Sequence, residues 1–393
     1  MMNFLNKYKF VLLLLLLAAG CSDIYKVGIS DSSGSERSGE MVVIHLKDIP
    51  DAVGKRFIVK NEQGLEIPYQ ITHDSLLIFQ ANVPANGAAF YKIAKGNPML
   101  YDTLACGMFR PDRKDDFIWE NDKSGYRTYG PALQASGEKA FGYDVFTKSV
   151  TFPVMKARFD SALYAKNKLN FHLDHGNGMD SYGVGPTLGC GTTVLIKNGE
   201  IVYPWAWTSY EIHDNGPLRF SIRLKYSPVE INSKTVVETR TITLDAGSNL
   251  NKAVVSYEGL DGQDDTVAVG IVIHKENPDA FRSGDKYMAY ADLGDRNIGQ
   301  NGEIYVGAVF CSSPDSIGFV PFENIDEILA SDNVGAPIGH ILGKAAYSKN
   351  TDYSYYFGSG WSKGGVGSFD EWCSYLQGFS EKLESPLHIN ISK

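Results

Sequence analysis

The chain has 393 residues, with 37 lysines and arginines against 46 aspartates and glutamates, a formal charge of −9 at pH 7. That acidity disfavours a polyanionic partner such as nucleic acid. The length admits one large or two ordinary domains, and 12% aromatic residues are enough to fill a sizeable core.

The first twenty residues read as a lipoprotein signal. Lys7 and Lys9 form a charged start, Val11 to Leu17 an apolar core, and Ala18, Ala19 and Gly20 the small residues before Cys21. Such a segment is removed rather than left as a membrane span. The Cys21 thiol is then the lipidation site, and an attached acyl chain contributes about 0.8 kcal/mol per buried CH₂. No run after Cys21 approaches the roughly 18 apolar residues of a membrane helix. The expected location is the cell envelope, at the outer membrane or periplasmic face, with membrane contact through the lipid anchor only. Cys106, Cys190, Cys311 and Cys373 remain in the mature chain without a CxxC pair. A structural zinc site is therefore not expected, whereas an oxidising compartment permits one or two disulfides.

Residues 21–40 turn to Ser, Gly, Asp and Glu and read as a flexible tether. Short β-type runs follow: Met41 to Leu46, Arg56 to Lys60, Leu65 to Ile71, Leu76 to Gln80 and Ala88 to Ile93, with turn residues at Asn61 to Gly64 and Asn86-Gly87. They describe a small β-sandwich module over residues 41–97. Asn97-Pro98 marks a boundary, and residues 98–393 carry longer strands. Phe220, Ile222, Leu224 and Tyr226 alternate with Ser221, Arg223 and Lys225, the period of a half-buried strand. Val236 to Leu244, Ala253 to Tyr257, Val267 to His274, Tyr287 to Asp292 and Tyr305 to Phe310 repeat the theme, which predicts a large antiparallel β-sandwich. One helix is signalled: Ser368 and Glu371 form a capping box ahead of Trp372, Tyr375, Leu376, Phe379 and Leu383 on one face.

Polar and aromatic residues concentrate in four stretches that read as loops or strand ends. The first, Arg113 to Pro131, gathers Trp119, Glu120, Asn121, Asp122, Arg127 and Tyr129; rings stack on sugar faces, and carboxylates, amides and guanidinium forks bind hydroxyls or a uronate. A strand with a solvated charged face explains it as well. The second, His172 to Gly191, offers His172, Asp174, His175, Asp180 and Tyr182 among glycines that let a ligand approach. HxDH lacks the helical spacing of zinc hydrolases, so no cofactor is predicted, with a divalent cation the weaker alternative. The third, Trp205 to Arg219, holds Glu211, His213, Asn215 and Arg219, and the fourth is the aromatic run Tyr353 to Trp361. There is no G-x-S-x-G elbow, Walker loop or dinucleotide fingerprint.

At Trp119-Glu120-Asn121-Asp122, Arg127 to Pro131, His172 to Gly176, Tyr182 to Gly185, Gly189-Cys190-Gly191, Asn215 to Arg219 and Leu244 to Gly247 the sequence resembles the domain of unknown function 4861 family. The resemblance implies a β-supersandwich like that of galactose mutarotases and a substrate class of acidic plant or algal glycans. It assigns no catalytic residues, and fold analogy alone establishes no reaction. The expectation from the residues is a lyase or dehydratase acting on uronate-containing oligosaccharides by β-elimination. Arg127 or Arg219 would neutralise the carboxylate, His172 or His175 would take the proton, and Tyr182 would handle the second proton. Trp119, Glu120, Asp122, Tyr129, Asp174, Asp180, Glu211, Asn215, Arg219 and Trp361 would hold the substrate, and the first three stretches would meet in one cleft. A sugar mutarotase or epimerase, a non-catalytic glycan-binding lipoprotein and a hydrolase with paired carboxylates, for example Glu120 and Asp174, are the alternatives. Replacing Cys21 should stop lipid attachment: Cys21→Ser is expected to take up no label from a radioactive fatty acid fed to the cells, and retained label would remove the anchor.

Overall fold

The computed structural model describes residues 23–204, 206–231, 233–260, 265–294 and 300–393; Cys21 and Trp205 lie outside them. The fold is all-β and built from two sandwiches. In the smaller, Asp23–Ser30 lies between His388–Ser392 and Ala88–Lys95, and Phe57–Lys60 and Glu66–Ile67 complete a five-stranded sheet. Facing it are Arg37–His45, Leu76–Val83 and Tyr69–Ile71. Val27, Ile29, Val42, Ile44, Leu77, Phe79 and Ile93 fill the space between.

Residues 23–40, expected as a tether, are therefore largely part of this module. Their polar composition hides a period-two pattern in Tyr25, Val27 and Ile29, all buried, each worth about 1.5–3 kcal/mol on removal from water for side chains of this size. Arg37 is fully buried against Asp31 at 3.0 Å and donates to the Ser385 carbonyl at 2.5 Å. The run Leu65 to Ile71 divides into two strands around Pro68, which has no N–H for the ladder. His388–Ser392 joins from the far end of the chain, beyond the reach of any signal within residues 41–97.

In the larger sandwich a nine-stranded sheet covers a five-stranded and a four-stranded one around a shared core. The four-stranded sheet has the order Asp144–Thr147, Ser124–Thr128, Asp116–Glu120, Cys106–Arg110. On Arg219–Tyr226, Phe220, Ile222 and Leu224 face the core while Arg223 and Lys225 face out, as the alternation predicts. Tyr353–Trp361, expected as a strand end, runs through the middle of the nine-stranded sheet. Trp207–Asn215, expected at a sheet edge or rim, is the outermost strand of that sheet. Cys106, Cys190, Cys311 and Cys373 are free thiols.

Among the described residues four α-helices stand where one was signalled: α1 (Pro131–Ala135), α2 (Met155–Tyr164), α3 (Ile325–Ala330) and α4 (Phe369–Glu384). The start of α2 is set by a residue distant in sequence, since the Val154 and Met155 N–H groups donate to the Glu120 carboxylate at 2.9 and 2.7 Å. The expected helix, α4, has Ser368 Oγ accepting from the Glu371 N–H at 3.2 Å. Trp372 and Leu376 pack on Ala289, Ala291, Tyr305 and Val309. They come so close to Gly307 that a Cβ there would meet Leu376 at 2.6 Å. Trp372→Ala should therefore lower unfolding free energy by about 3–5 kcal/mol, read from urea denaturation. Leu100→Ala, at a fully exposed position, should stay within about 0.5 kcal/mol of the parent.

Candidate functional site

Three strands of the four-stranded sheet bring a cation and two carboxylates together. Arg127 is paired with Asp144 in the antiparallel register, and Asp116 begins the strand on its other side. The Arg127 Nε donates to Asp144 Oδ2 at 2.8 Å, its Nη2 also reaches Asp144 and lies 3.3 Å from Asp180 Oδ2, and its Nη1 lies 3.5 Å from Asp116 Oδ2. The guanidinium sits over the rings of Tyr129 and Phe146, and the Tyr129 hydroxyl donates to Asp144 at 3.1 Å. Burial opposes the charge on Arg127, but these carboxylates hold it protonated. Burial also pushes Asp116 up to about 6, against the attraction of Arg127.

The segment after the glycine-rich loop threads through this cluster. Phe171 and Asp180 are tied by the Asp180 N–H donating to the Phe171 carbonyl at 2.8 Å, and Thr147 donates to Met179 at 2.8 Å. His172 Nδ1 donates to the Asp180 carbonyl at 2.9 Å, which leaves Nε2 as its basic nitrogen, on a half-exposed side chain. Beyond Asp180, Ser181 and Tyr182 are buried, and Ser181 Oγ, Tyr182 Oη and Asp116 Oδ1 have no hydrogen-bond partner among the described residues. Burial pushes the Tyr182 phenol well above its ordinary range, with Asp292 and Asp144 adding to the effect.

A second His–Asp pair closes the same region. His274 and Asp292 end buried strands of the five-stranded and the nine-stranded sheet, and His274 Nδ1 meets Asp292 Oδ2 at 2.5 Å. Burial disfavours the imidazolium, but Asp292 outweighs it and raises the His274 pKa. Its ring lies edge-on to Tyr182, centroids 6.0 Å apart, beside a small pocket lined by Gly183, Glu276, Tyr290 and Gly294. Asp116, Asp144, His274 and Asp292 were not picked out from sequence. The signal available was a lone polar residue at the end of an apolar run.

Arg127, Tyr129, His172, Asp180 and Tyr182 thus come together; other expected site residues do not. Arg127 is enclosed by carboxylates and cannot serve as a free cation. Trp119 is core, 1% exposed, stacked on Tyr126 and donating to Asn251 at 2.8 Å. Glu120 is buried between Lys148, at 2.7 Å, and the start of α2, which rules out the Glu120 and Asp174 carboxylate pair. Asp122 accepts from Gly247 N–H at 2.6 Å, Asp174 from Gly176 and Gly178, and Asn215 exchanges two hydrogen bonds with the Gly107 backbone; each shapes a turn or a strand junction. His175 is exposed and bonded to the Asn170 carbonyl at 3.0 Å. Trp361 is buried and donates to the Asn301 carbonyl at 2.7 Å. Glu211 and Arg219 lie on the outer side of the nine-stranded sheet, where Glu211 faces Arg223 and Arg219 forms a fork with Asp245 at 2.6 and 2.8 Å. Only two of the three stretches converge, because the strand carrying Glu211 turns it away from the core that Phe220 and Ile222 fill. Among the described residues no group of three or more His, Cys, Asp and Glu side chains is disposed to hold a metal ion.

The chain is similar to uncharacterized protein P7 of Formosa agariphila, 26% identical over 398 residues and 93% of each chain. Among solved structures it is similar to a protein of glycosyl hydrolase family 38 and to an alpha-mannosidase, both from Enterococcus faecalis, at 7% and 8% identity and a TM-score of 0.49. They cover 94% and 95% of this chain, which spans about half of their length, 47% and 46%. The model of the domain of unknown function 4861 family matches residues 29–389, and the chain belongs to that family.

Proposed function

We propose that the protein is a carbohydrate-active enzyme that works by proton transfer on uronate-containing oligosaccharides, as a lyase or dehydratase, at the site around Asp180. The observation that carries this reading is the set of buried polar atoms without partners among the described residues, Asp116 Oδ1, Ser181 Oγ and Tyr182 Oη, in segments tied through Arg127 and Asp180 to His172, whose Nε2 is left basic. Unpaired buried polar groups cost about 1–3 kcal/mol each, and a substrate supplying the missing partners removes that cost. In elimination, His172 takes the proton next to the carboxylate, the C–O bond at the neighbouring carbon breaks as the C=C bond forms, and the leaving oxygen takes its proton from Tyr182 or back from the His172 imidazolium. The hydroxyls of Ser181 and Tyr182, in a water-poor setting, hydrogen-bond the negative charge that develops there. Arg127 is a positioning residue: it fixes Asp180, and Asp180 orients His172.

The mutarotase alternative has one observation in its favour, a carboxyl raised to about 6 at Asp116, suited to exchanging protons with a neutral sugar near neutral pH. Incubation with a panel of acidic and neutral oligosaccharides separates the two. Elimination gives a conjugated product that absorbs in the ultraviolet and chains that are cleaved or lighter by one water; mutarotation gives anomeric exchange without a change of mass. His172→Ala should lower turnover by about 10²–10⁴-fold and Tyr182→Phe by a smaller factor, with the unfolding transition of each retained. Full activity in His172→Ala would end the reading.

The raised Asp116 also makes stability depend on pH. Its folded pKa of about 6 lies above the unfolded 3.8, so its contribution is fully present below pH 3.8 and is lost as pH rises through about 6. In Asp116→Asn this dependence should vanish, and its unfolding free energy should gain on the parent as pH rises across that window. Parallel curves for the two proteins would show that Asp116 is not perturbed.

A further inference from the structure

We infer that the cleft between the two sandwiches is a second binding site, for the carboxylate- or sulfate-bearing sugars of an acidic glycan chain. The inference rests on the acidic-glycan reading above but places the contact on the opposite side of the nine-stranded sheet. The outward face of the strands Arg219–Tyr226 and Lys234–Asp245 is not left to solvent. The smaller sandwich overhangs it, fixed by Gln70, whose Oε1 accepts from the Leu218 and Arg219 N–H groups at 3.0 and 2.9 Å, and by the His73 N–H donating to Asp214 at 2.9 Å. Between them lies a cleft of about 280 Å³, lined by His73, His213, Arg219, Arg223, Thr241 and Thr243 among others.

Most of its charges are matched internally. Asp214 accepts from His73 Nδ1 at 2.9 Å and from Ser221 Oγ at 2.6 Å, and Arg219 is taken up by its fork with Asp245. Asp74 accepts from Thr72 Oγ1 and lies 4.0 Å from His73 Nδ1. The remaining two groups, Arg223 and His213, share one exposed carboxylate, Glu211, whose Oε2 lies between them. Arg223 is half-exposed and has Glu211 no nearer than 3.5 Å. His213 stacks on His73 with centroids 4.1 Å apart, its side chain 6% exposed, and both ring nitrogens are buried without a hydrogen-bond partner, although Glu211 Oε2 lies 3.4 Å from Nε2. A buried imidazole with nothing to bond is costly. A ligand oxyanion that displaces the exposed Glu211 carboxylate from between it and the Arg223 fork, with the threonine hydroxyls alongside, would satisfy both.

The cleft runs on into a larger one of about 540 Å³ that shares Asp74, Arg219 and Thr243 and ends on Lys252, Tyr356, Tyr375 and Phe379. Half-buried rings beside a lysine suit the face of a further sugar and its acidic group. Clefts between modules are common ligand sites, and the two cavities, about 280 and 540 Å³, together offer room for more than one sugar.

Isothermal titration of the protein with an oligouronate, a sulfated neutral oligosaccharide and an uncharged one of equal length tests the inference. At least one acidic ligand should bind and the uncharged one should not; whichever acidic ligand binds identifies the group recognised. Arg223→Ala and His213→Ala should each weaken that binding about tenfold, the loss of one charge-assisted or buried hydrogen bond. Unchanged affinity in Arg223→Ala, or equal affinity for the uncharged chain, would overturn the site. Arg223-dependent binding by a protein that turns over none of these sugars would refute the proposed reaction and leave the cleft standing.

Discussion

The region around the proposed site depends on one buried cation. Arg127 lies where the strands of the four-stranded sheet meet the loop that leads to Tyr182, and it binds Asp144 and Asp180 while lying close to Asp116. Taking these charges out of water costs several kcal/mol per ion, and the cluster persists because the partners are fixed by different elements. Asp144 is held by strand register, Asp116 by the opposite strand, and Asp180 by a loop. The arrangement is thus a tie between a rigid sheet and a segment with few ladder bonds of its own.

What the tie fixes is the placement of the Asp180 main chain as well as its side chain. The carboxylate faces Arg127 and the carbonyl accepts from His172, so an error in the first would reach the second without any change at His172 itself. On the far side, His274 and Asp292 form another rigid pair beside Tyr182. Ser181 and Tyr182 are therefore held from both ends, and their unbonded hydroxyls cannot relax into other partnerships. Such preorganisation stabilises developing charge only if the groups are already in position before reaction begins.

Much of the fold was legible in the sequence because alternation is a local property. The strands Arg219–Tyr226, Thr266–His274, Tyr287–Asp292 and Ile304–Phe310, and the helix α4, lie within a residue or so of where periodicity and the Ser368 cap put them. The misreadings share a cause, which is that the deciding partner is distant in the chain. Asp23–Ser30 looks like a tether until His388–Ser392 and Ala88–Lys95 are set on either side of it. Helix α2 has little amphipathic pattern, and its start is set by Glu120. Trp119 has the composition of a sugar platform, but strand pairing turns it inward against Tyr126 and Phe220. For the site, sequence picked out Arg127, His172, Asp180 and Tyr182 from their setting among glycines and aromatics. Asp144, Asp116, His274 and Asp292 escaped because each looks like an ordinary polar residue at a strand end.

The same limit governs which arginines are available to a substrate. Arg127 and Arg219 stand in polar, turn-rich sequence and read as free cations, yet each is matched by carboxylates that no local pattern associates with it, Asp144 and Asp180 for one and Asp245 for the other. Arg223 reads as the solvated face of an ordinary strand, and it is the one of the three left with a single loose contact. A guanidinium binds an external oxyanion strongly only when its fork is not already filled. On the proposed reading, recognition of an acidic sugar would fall to Arg223 and the adjacent His213, on the outer side of the nine-stranded sheet. Arg127, buried among its carboxylates, instead ties Asp180, and through the Asp180 carbonyl His172, to the sheet.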